Sequence, residues 1–384
     1  MSAAASNSLV ENLNLGSGEL RLVVKDSIDI AGCITGMGSA ITAGASPAKE
    51  SAEIISNILA NNAKIIGKAK MHELAYGVTG INTLAGTPVN PKYPNLIPGG
   101  SSSGSATAVA EGVADIGIGT DTGGSIRMPA ACCGLVGLKP TFGRVSRVGV
   151  HPAQSSLDCV GTITKTVALA EQAMALIDPS FKIQPDLAEF NVGVVKGAWR
   201  SDVATAMDAA LSNVSQSMQS IELPGLMRAH EAGLIIIAAE NWSAFHDIVD
   251  APNLGDDIHK RLLLAQEITA QQVDDALKIQ AEFRAEVDAV LASGIDVLIL
   301  PALPLPAPTL AEAKDAAAIV AHTQLLRPFN ISGHPAITLP LENDAGQPFG
   351  LQLVGGMMQD EKLCMIARQI ERLIESKDYE EKLK

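Results

Sequence analysis

Residues 99–134 read GGSSSGSATAVAEGVADIGIGTDTGGSIRMPAACCG. Within this stretch, residues 106–112 are rich in alanine and predict a helix, and residues 115–119 predict a short buried strand. Glycine- and serine-rich turns precede the helix and follow the strand. Because consecutive glycines let several backbone N–H groups approach one point, such turns can surround an anion. The stretch therefore predicts an α/β unit with a polar site at its turns.

Apolar runs and helical spacings continue to alternate on both sides of this unit. Further strands are predicted at residues 20–24, 64–68, 192–195, 297–300, 336–339 and 350–354. Further helices are predicted at residues 49–60, 202–218, 231–249, 271–293 and 361–376. Such alternation is typical of an α/β layer fold. We therefore expect a single large domain with a central mixed, mostly parallel twisted β-sheet covered by α-helices.

The composition excludes several classes of protein. The 384 residues are 47% hydrophobic and 18% charged, which is not the composition of a disordered chain. With 42 acidic against 28 basic residues, the chain lacks the basic balance of a nucleic-acid binder. No apolar run approaches the ~18–20 residues that span a bilayer, and the N-terminus lacks the features of a secretory signal. We expect a cytoplasmic protein that binds neither nucleic acid nor membrane.

The cysteines point the same way. There are five of them, an odd number, and none shows CxxC spacing. We expect buried, reduced thiols with no disulfide framework and no metal site.

Three polar features are not explained by the apolar pattern. They are Lys25 at the end of the first predicted strand, the run GGSSSGSA at 99–106, and the run GTDTGGSIR at 119–127. Their chemistry suits acyl transfer to a serine, because backbone N–H groups around it can stabilise a tetrahedral oxyanion. The donors expected around Ser125 are the N–H groups of Thr122, Gly123, Gly124 and Ser125.

A nucleophilic serine also needs a base. None of the seven histidines stands in a motif that directs it at a serine. Lysine is the other candidate, because desolvation lowers its pKa and frees the neutral amine. Asp26 follows Lys25 directly, but neighbouring side chains of a strand face opposite ways, so Asp26 need not keep Lys25 charged. The residues by themselves leave the base open.

The chain resembles the amidase signature family of serine hydrolases. The resemblance is carried by VVKDSIDIAG from Val23, GGSSSGSATAVAEG from Gly99 and GTDTGGSIRMPAACCG from Gly119. Further matching segments are GVTGINTLAGTPVNP (77–91), GLVGLKPTFGRVS (134–146), DVLILPALPLPAP (296–308), NISGHPAITLP (330–340) and GLQLVG (350–355). The resemblance covers almost the whole chain and is weakest between about 180 and 290.

The resemblance implies the roles of individual residues. Lys25 matches the family's general base, Ser101 its bridging serine, which follows a cis peptide bond, and Ser125 its nucleophile. Ala75 lies where relatives present a backbone carbonyl to the substrate. With Thr122, Gly123 and Gly124 it makes up the expected substrate-binding set.

The same resemblance implies one amidase signature domain over residues 1–384. Its catalytic core is expected at about 20–180 and a variable, substrate-shaping segment at about 180–295. The C-terminal strands and helix of the same domain are expected at 296–384. The family usually carries a longer, largely helical segment before the lysine, so the substrate is not carried over.

Other interpretations of the same residues compete. GSSSG at 100–104 fits the GxSxG nucleophile elbow, which would make Ser102 the nucleophile, but no strand is predicted directly before it. SPAK at 46–49 fits the SxxK motif without its companion motifs. Arg127 either binds a substrate carboxylate or pins the turn after Ser125, and we favour the second. Asp121 is expected to brace the turn through backbone N–H groups.

Three classes of function follow. The first is an amidohydrolase that cleaves a linear amide to carboxylate plus ammonia or amine, without a cofactor. The second is the glutaminase component of a glutamyl-tRNA amidotransferase complex, which passes ammonia to a partner. The third is a binding module that kept the fold without activity, and the intact catalytic positions argue against it. The small-molecule amide is the expected partner, and the resemblance allows a homodimer.

Overall fold

The computed structural model describes residues 7–212, 214 and 216–382. Its strands are β1 Leu9–Gly16, β2 Arg21–Lys25, β3 Lys64–Ala69, β4 Ile116–Asp121, β5 Val136–Lys139, β6 Cys159–Thr164, β7 Asn191–Val195, β8 Ser217–Ile221, β9 Val297–Pro301, β10 Ala336–Leu339 and β11 Leu351–Val354. Its helices are α1 Glu53–Ala60, α2 Ser103–Ala110, α3 Arg127–Cys133, α4 Val167–Ile177, α5 Ser201–Leu211, α6 Leu226–Phe245, α7 Asp256–Gln266, α8 Ala270–Ala292, α9 Ala316–Ala321, α10 Pro328–Ile331 and α11 Asp360–Lys382.

All eleven described strands join one sheet in the order β1-β3-β2-β4-β6-β5-β10-β11-β9-β7-β8. This confirms the single α/β domain and the mixed sheet. The expectation of a mostly parallel sheet is wrong, because among the described strands four neighbouring pairs are parallel and six are antiparallel. The reason lies in the connections. A parallel pair needs a long crossover, usually a helix, and no helix separates β10 from β11 or β5 from β6.

Element boundaries mostly agree with the sequence pattern, with one larger difference. The helix predicted at 202–218 ends at Leu211, and Met218 lies in the exposed edge strand β8. The pattern also missed the buried strands β5 and β6 and the strand β1 at the opposite edge of the sheet. Both edge strands expose most of their side chains, so neither has the apolar run by which a buried strand is recognised.

The two faces of β2 explain where the polar site forms. Leu22 and Val24 pack in a core cluster with side chains of α1, α4 and α11, whereas Val23 packs in a different cluster with α2 and α3. Because successive side chains of a strand point to opposite faces, Lys25 shares the face of Val23. That face carries α2 and α3, and each of these helices begins two residues after one of the two serines, Ser101 and Ser125.

Candidate active site

Lys25 occupies the last position of β2 and is fully buried. Its Nζ lies 2.7 Å from Ser101 Oγ and 2.8 Å from Thr120 Oγ1. Burial lowers the pKa of Lys25 to about 8, although the charges of Asp158 and Asp121 oppose the shift. The neighbouring Asp26 forms a salt bridge with Lys68 at 3.0 Å. Lys25 therefore meets two hydroxyl groups rather than a carboxylate, and its neutral form is accessible near neutral pH.

The segment that carries Ser101 is held by its backbone. The Gly100–Ser101 peptide bond is cis, as the resemblance implied. The carbonyl of Ser101 accepts a hydrogen bond from the His72 N–H at 3.0 Å, and the next N–H, that of Ser102, donates to the carbonyl of Ser125 at 3.2 Å. The two serine-bearing turns are thus joined directly, with Ser101 Oγ directed at the lysine.

Ser102 does not have the environment of a nucleophile. Its side chain is fully buried, and its Oγ donates to the backbone carbonyl of Thr120 at 3.3 Å. The stretch before it, residues 97–100, is not a strand. The nucleophile elbow requires a strand that leads into an exposed serine, and this segment has neither feature.

The turn between β4 and α3 carries Ser125, whose side chain is 4% exposed. The carboxylate of Asp121 braces this turn, accepting from the N–H of Gly124 at 2.7 Å and that of Ile126 at 3.2 Å. Within the described residues, no acceptor is found for the N–H groups of Thr122, Gly123 or Ser125. Three of the four expected donors therefore have no acceptor within the described residues.

The fourth expected donor needs correction. The N–H of Gly124 is already bound to Asp121, so it is not available to a substrate oxygen. Gly124 instead has a backbone φ of 116°, an angle that residues other than glycine rarely adopt. A Cβ at this position would also lie 2.9 Å from Leu326 Cδ1. Gly124 thus shapes the turn rather than donating from it.

Arg127 holds Asp121 in place. Its guanidinium donates to both oxygens of Asp121, and also to the Leu326 carbonyl, the Gln352 side chain and the Asn330 side chain. Burial alone would raise the pKa of Asp121, but the charge and hydrogen bonds of Arg127 outweigh it and hold this pKa well below its ordinary value. Arg127 is fully buried and its donors are occupied, so it pins the turn, as expected, and has no donor left for a substrate.

Ala75 ends a short 3₁₀ helix, Glu73–Ala75, with a left-handed φ of 58°. Residues other than glycine adopt this conformation rarely, and when they do the position is often functional. The next residue, Tyr76, packs its ring beneath the guanidinium of Arg261, with 5.9 Å from Cζ to the ring centroid. Arg261 and His72 both line a cavity of about 730 Å³ that reaches the segment before Ala75. Ser125 itself lies outside this cavity.

Two residues of the site were missed at the level of sequence. Thr120 contacts Lys25 through Oγ1 and stands at the end of an apolar strand, next to Asp121, so the polar character of the strand end was a usable signal. Arg327 lies beside the Ser125 turn, where a Cβ on Gly123 would be 3.1 Å from its Nε. A single arginine before a helix gives no such signal.

Other candidate chemistry finds little support. Ser46 of the SxxK match is exposed on a loop. In the part of the chain that the structure describes, no group of three or more His, Cys, Asp or Glu side chains is placed to hold a metal ion. All five cysteines are buried and free of disulfides. Among the described helices, none combines the length and apolar character needed to cross a membrane.

Comparisons with known proteins identify the family of this chain. The Amidase family model matches residues 20–364. A glutamyl-tRNA(Gln) amidotransferase subunit of Lysinibacillus sphaericus (strain C3-41) is 32% identical, over 93% of this chain and 83% of its own length. A crystal structure of an amidase superposes with a TM-score of 0.85 at 30% identity, covering 93% of this chain and 86% of that one. The crystal structure of a glutamyl-tRNA(Gln) amidotransferase subunit from Thermotoga maritima gives a TM-score of 0.82 at 26% identity, covering 96% and 87%. With this match, this fold and this arrangement of lysine and serines, the chain belongs to the amidase signature family of enzymes that act on carbon–nitrogen bonds.

Proposed function

We propose that this protein hydrolyses a small carboxylic acid amide to carboxylate and ammonia through an acyl-enzyme on Ser125. The observation that carries the proposal is the 2.7 Å contact of the fully buried Lys25 with Ser101 Oγ. A lysine with a pKa of about 8 is neutral in a useful fraction of molecules near neutral pH. Such an amine can accept a proton, which a charged lysine cannot.

In the proposed reaction, neutral Lys25 accepts the proton of Ser101 Oγ while Ser101 accepts that of Ser125. Ser125 Oγ attacks the amide carbon, and the N–H groups of Thr122, Gly123 and Ser125 stabilise the oxyanion. Each such donor typically contributes ~3–4 kcal/mol to transition-state stabilisation. The proton returns through Ser101 to the departing nitrogen, which leaves as ammonia. Water then cleaves the ester of Ser125 by the same proton path in reverse.

The test is ammonia release from pentanamide, glutaramate and glutamine by the wild type, Ser125→Ala, Ser101→Ala and Lys25→Met. We expect each variant to lose about 10²–10⁴-fold or more in kcat/KM, the range that acid–base groups contribute. Ser105→Ala is the matched control, because this buried hydroxyl only donates to the Ile118 carbonyl. Full activity in Ser125→Ala would exclude the mechanism.

A second candidate is the glutaminase component of an amidotransferase, and the comparisons favour it over other linear amidases. Eight curated relatives of this chain are named as subunits of glutamyl-tRNA(Gln) amidotransferase, at 29–32% identity over 91–94% of this chain. We infer from this that glutamine is the first substrate to test. The site chemistry is the same, since glutamine is itself a carboxamide.

The amidotransferase candidate predicts two further results. Glutamine should be hydrolysed with a higher kcat/KM than pentanamide, and the protein should co-purify from its native host with a partner at fixed stoichiometry. Light scattering then distinguishes such a complex from a homodimer. Turnover of glutamine no faster than that of pentanamide, with a protein that elutes alone, would remove this candidate and leave the free-standing amidase.

A further inference from the structure

Arg327 is a buried cation that the proposed reaction does not use. It is 5% exposed and precedes α10 directly. Its Nη1 donates to His230 Nδ1 at 2.9 Å. Its Nε is buried with no hydrogen-bond partner, and within the described residues no partner is found for Nη2. A buried guanidinium of this kind is costly unless something completes its hydrogen bonds.

The surroundings of Arg327 are positive rather than negative. Among the described residues it forms no salt bridge, whereas the comparably buried Arg127 holds Asp121 at 2.9 Å. Burial, and then the charge of Arg261, lowers the pKa of Arg327 to about 10. The partner His230 cannot supply a negative charge, and burial followed by Arg327 lowers its pKa to about 4, so it is neutral at pH 7. Within the described residues, therefore, no anion balances the charge of Arg327.

The fold makes room for this arginine at the catalytic turn. Its side-chain stem passes α6 at Gly233, where a Cβ would lie 2.6 Å from Arg327 Cδ. Its Nε would lie 3.1 Å from a Cβ on Gly123, a residue of the turn that carries Ser125. Two positions that lack a side chain therefore allow the guanidinium to reach the turn.

We propose that Arg327 binds a carboxylate on the acyl part of the substrate, so that the enzyme prefers amides that carry a second, ionised carboxyl group. Planar guanidinium groups bind carboxylates through paired hydrogen bonds. The unpaired Nε and the neighbouring Nη2 offer such a pair. Nearby, the guanidinium of Arg261 lies over the ring of Tyr76, with 5.9 Å from Cζ to the ring centroid. The proposal rests on the proposed amidase function and names its substrate class.

The test uses three five-carbon amides that differ at the end remote from the reacting amide. Pentanamide is neutral, glutaramate carries a carboxylate, and glutamine carries a carboxylate and an ammonium group. For the wild type we expect kcat/KM for glutaramate or glutamine to exceed that for pentanamide. In Arg327→Met the ratio of acid to pentanamide should fall about 100-fold, as expected for loss of a hydrogen-bonded charge, mostly through KM. Arg327→Lys should recover part of it.

The controls separate this inference from the proposed function. Arg228→Gln changes an exposed arginine of α6 that pairs only with Glu282, and it should leave the ratio unchanged. Calorimetric binding of glutaramate to Ser125→Ala, with and without Arg327→Met, measures carboxylate recognition without turnover. Weaker binding in the double variant supports the inference even if no amide is hydrolysed. Equal binding, or an unchanged ratio in folded Arg327→Met, overturns it. Whichever of glutaramate and glutamine has the higher kcat/KM with the wild type is the better model of the natural substrate.

Discussion

Arg127 and Arg327 are both buried beside the turn that carries Ser125, and they differ in the partners that balance their charges. Arg127 donates to Asp121, Asn330, Gln352 and the carbonyl of Leu326, the residue next to Arg327. Arg327 has a neutral histidine and an unpaired Nε. A buried charge with every donor satisfied serves the fold, whereas a buried charge left unsatisfied points to a ligand. By this argument Arg127 stabilises the turn, whereas Arg327 is the candidate for binding a ligand.

The largest effect on stability is expected when Arg127, whose hydrogen bonds are all satisfied, is removed. Arg127→Met leaves the Asp121 carboxylate buried without its counter-charge, which should lower the free energy of unfolding by ~3–5 kcal/mol. Activity should collapse with the turn. Chemical denaturation of the wild type and the variant measures the difference. An Arg127→Met variant that unfolds at the wild-type midpoint would contradict the structural role of Arg127.

The same substitution at Arg327 should leave the free energy of unfolding nearly unchanged. Arg327→Met removes a buried cation that has no anionic partner among the described residues, so the free energy of unfolding should change by less than ~1 kcal/mol or rise. Denaturation under the conditions used for Arg127→Met checks this. A loss as large as that of Arg127→Met would mean that Arg327 serves the fold and not a substrate.

An indirect effect on carboxylate recognition is expected at Gly233, the glycine of α6 that makes room for Arg327. Gly233→Ala places a Cβ 2.6 Å from Arg327 Cδ, and such overpacking typically costs ~1–3 kcal/mol. The arginine should shift, and kcat/KM for glutaramate should fall more than that for pentanamide. Gly44→Ala, where a Cβ meets nothing within 4 Å, is the matched control. An equal fall for both amides would indicate general damage.

The third buried cation of the site, Lys25, should set the pH dependence. Because burial lowers its pKa to about 8 and only the neutral amine accepts a proton, kcat/KM should rise with pH, by about tenfold per unit below that value, and level off above it. A histidine base such as His230, with a pKa near 4, would give a profile already flat at pH 7. A pH–rate profile on pentanamide, which carries no ionisable group, decides between them.

Sequence motifs identified the residues that we propose to react, but not what surrounds them. Lys25, Ser101 and Ser125 lie in segments whose residue order is specific, and the structure brings the first two into contact. The occupied N–H of Gly124 was beyond sequence reasoning, because it depends on where the Asp121 carboxylate points. Arg327 was missed for the same reason. Its burial follows from packing against α6 at Gly233, a contact between residues 94 positions apart (327 − 233).

The fold shows a similar division. Buried strands such as β2 and β9 were recognised because continuous apolar runs are distinctive, and their ends agree within a residue or two. The edge strands β1 and β8 were missed because their exposed faces are polar. The buried strands β5 and β6 were missed as well, because glycine and threonine interrupt their apolar runs. The share of parallel pairing was overestimated, since pairing direction depends on connections that the apolar pattern does not specify.

The most direct test of the central claim is the rate at which a fluorophosphonate probe labels the protein, with the modified residue identified by peptide mass spectrometry. We predict labelling of Ser125, faster as pH rises through about 8 because the base is Lys25, and nearly abolished in Lys25→Met although Ser125 is intact. Labelling on Ser102, or a labelling rate at Ser125 that Lys25→Met leaves unchanged, would contradict the assignment of Lys25 as the base that activates Ser125.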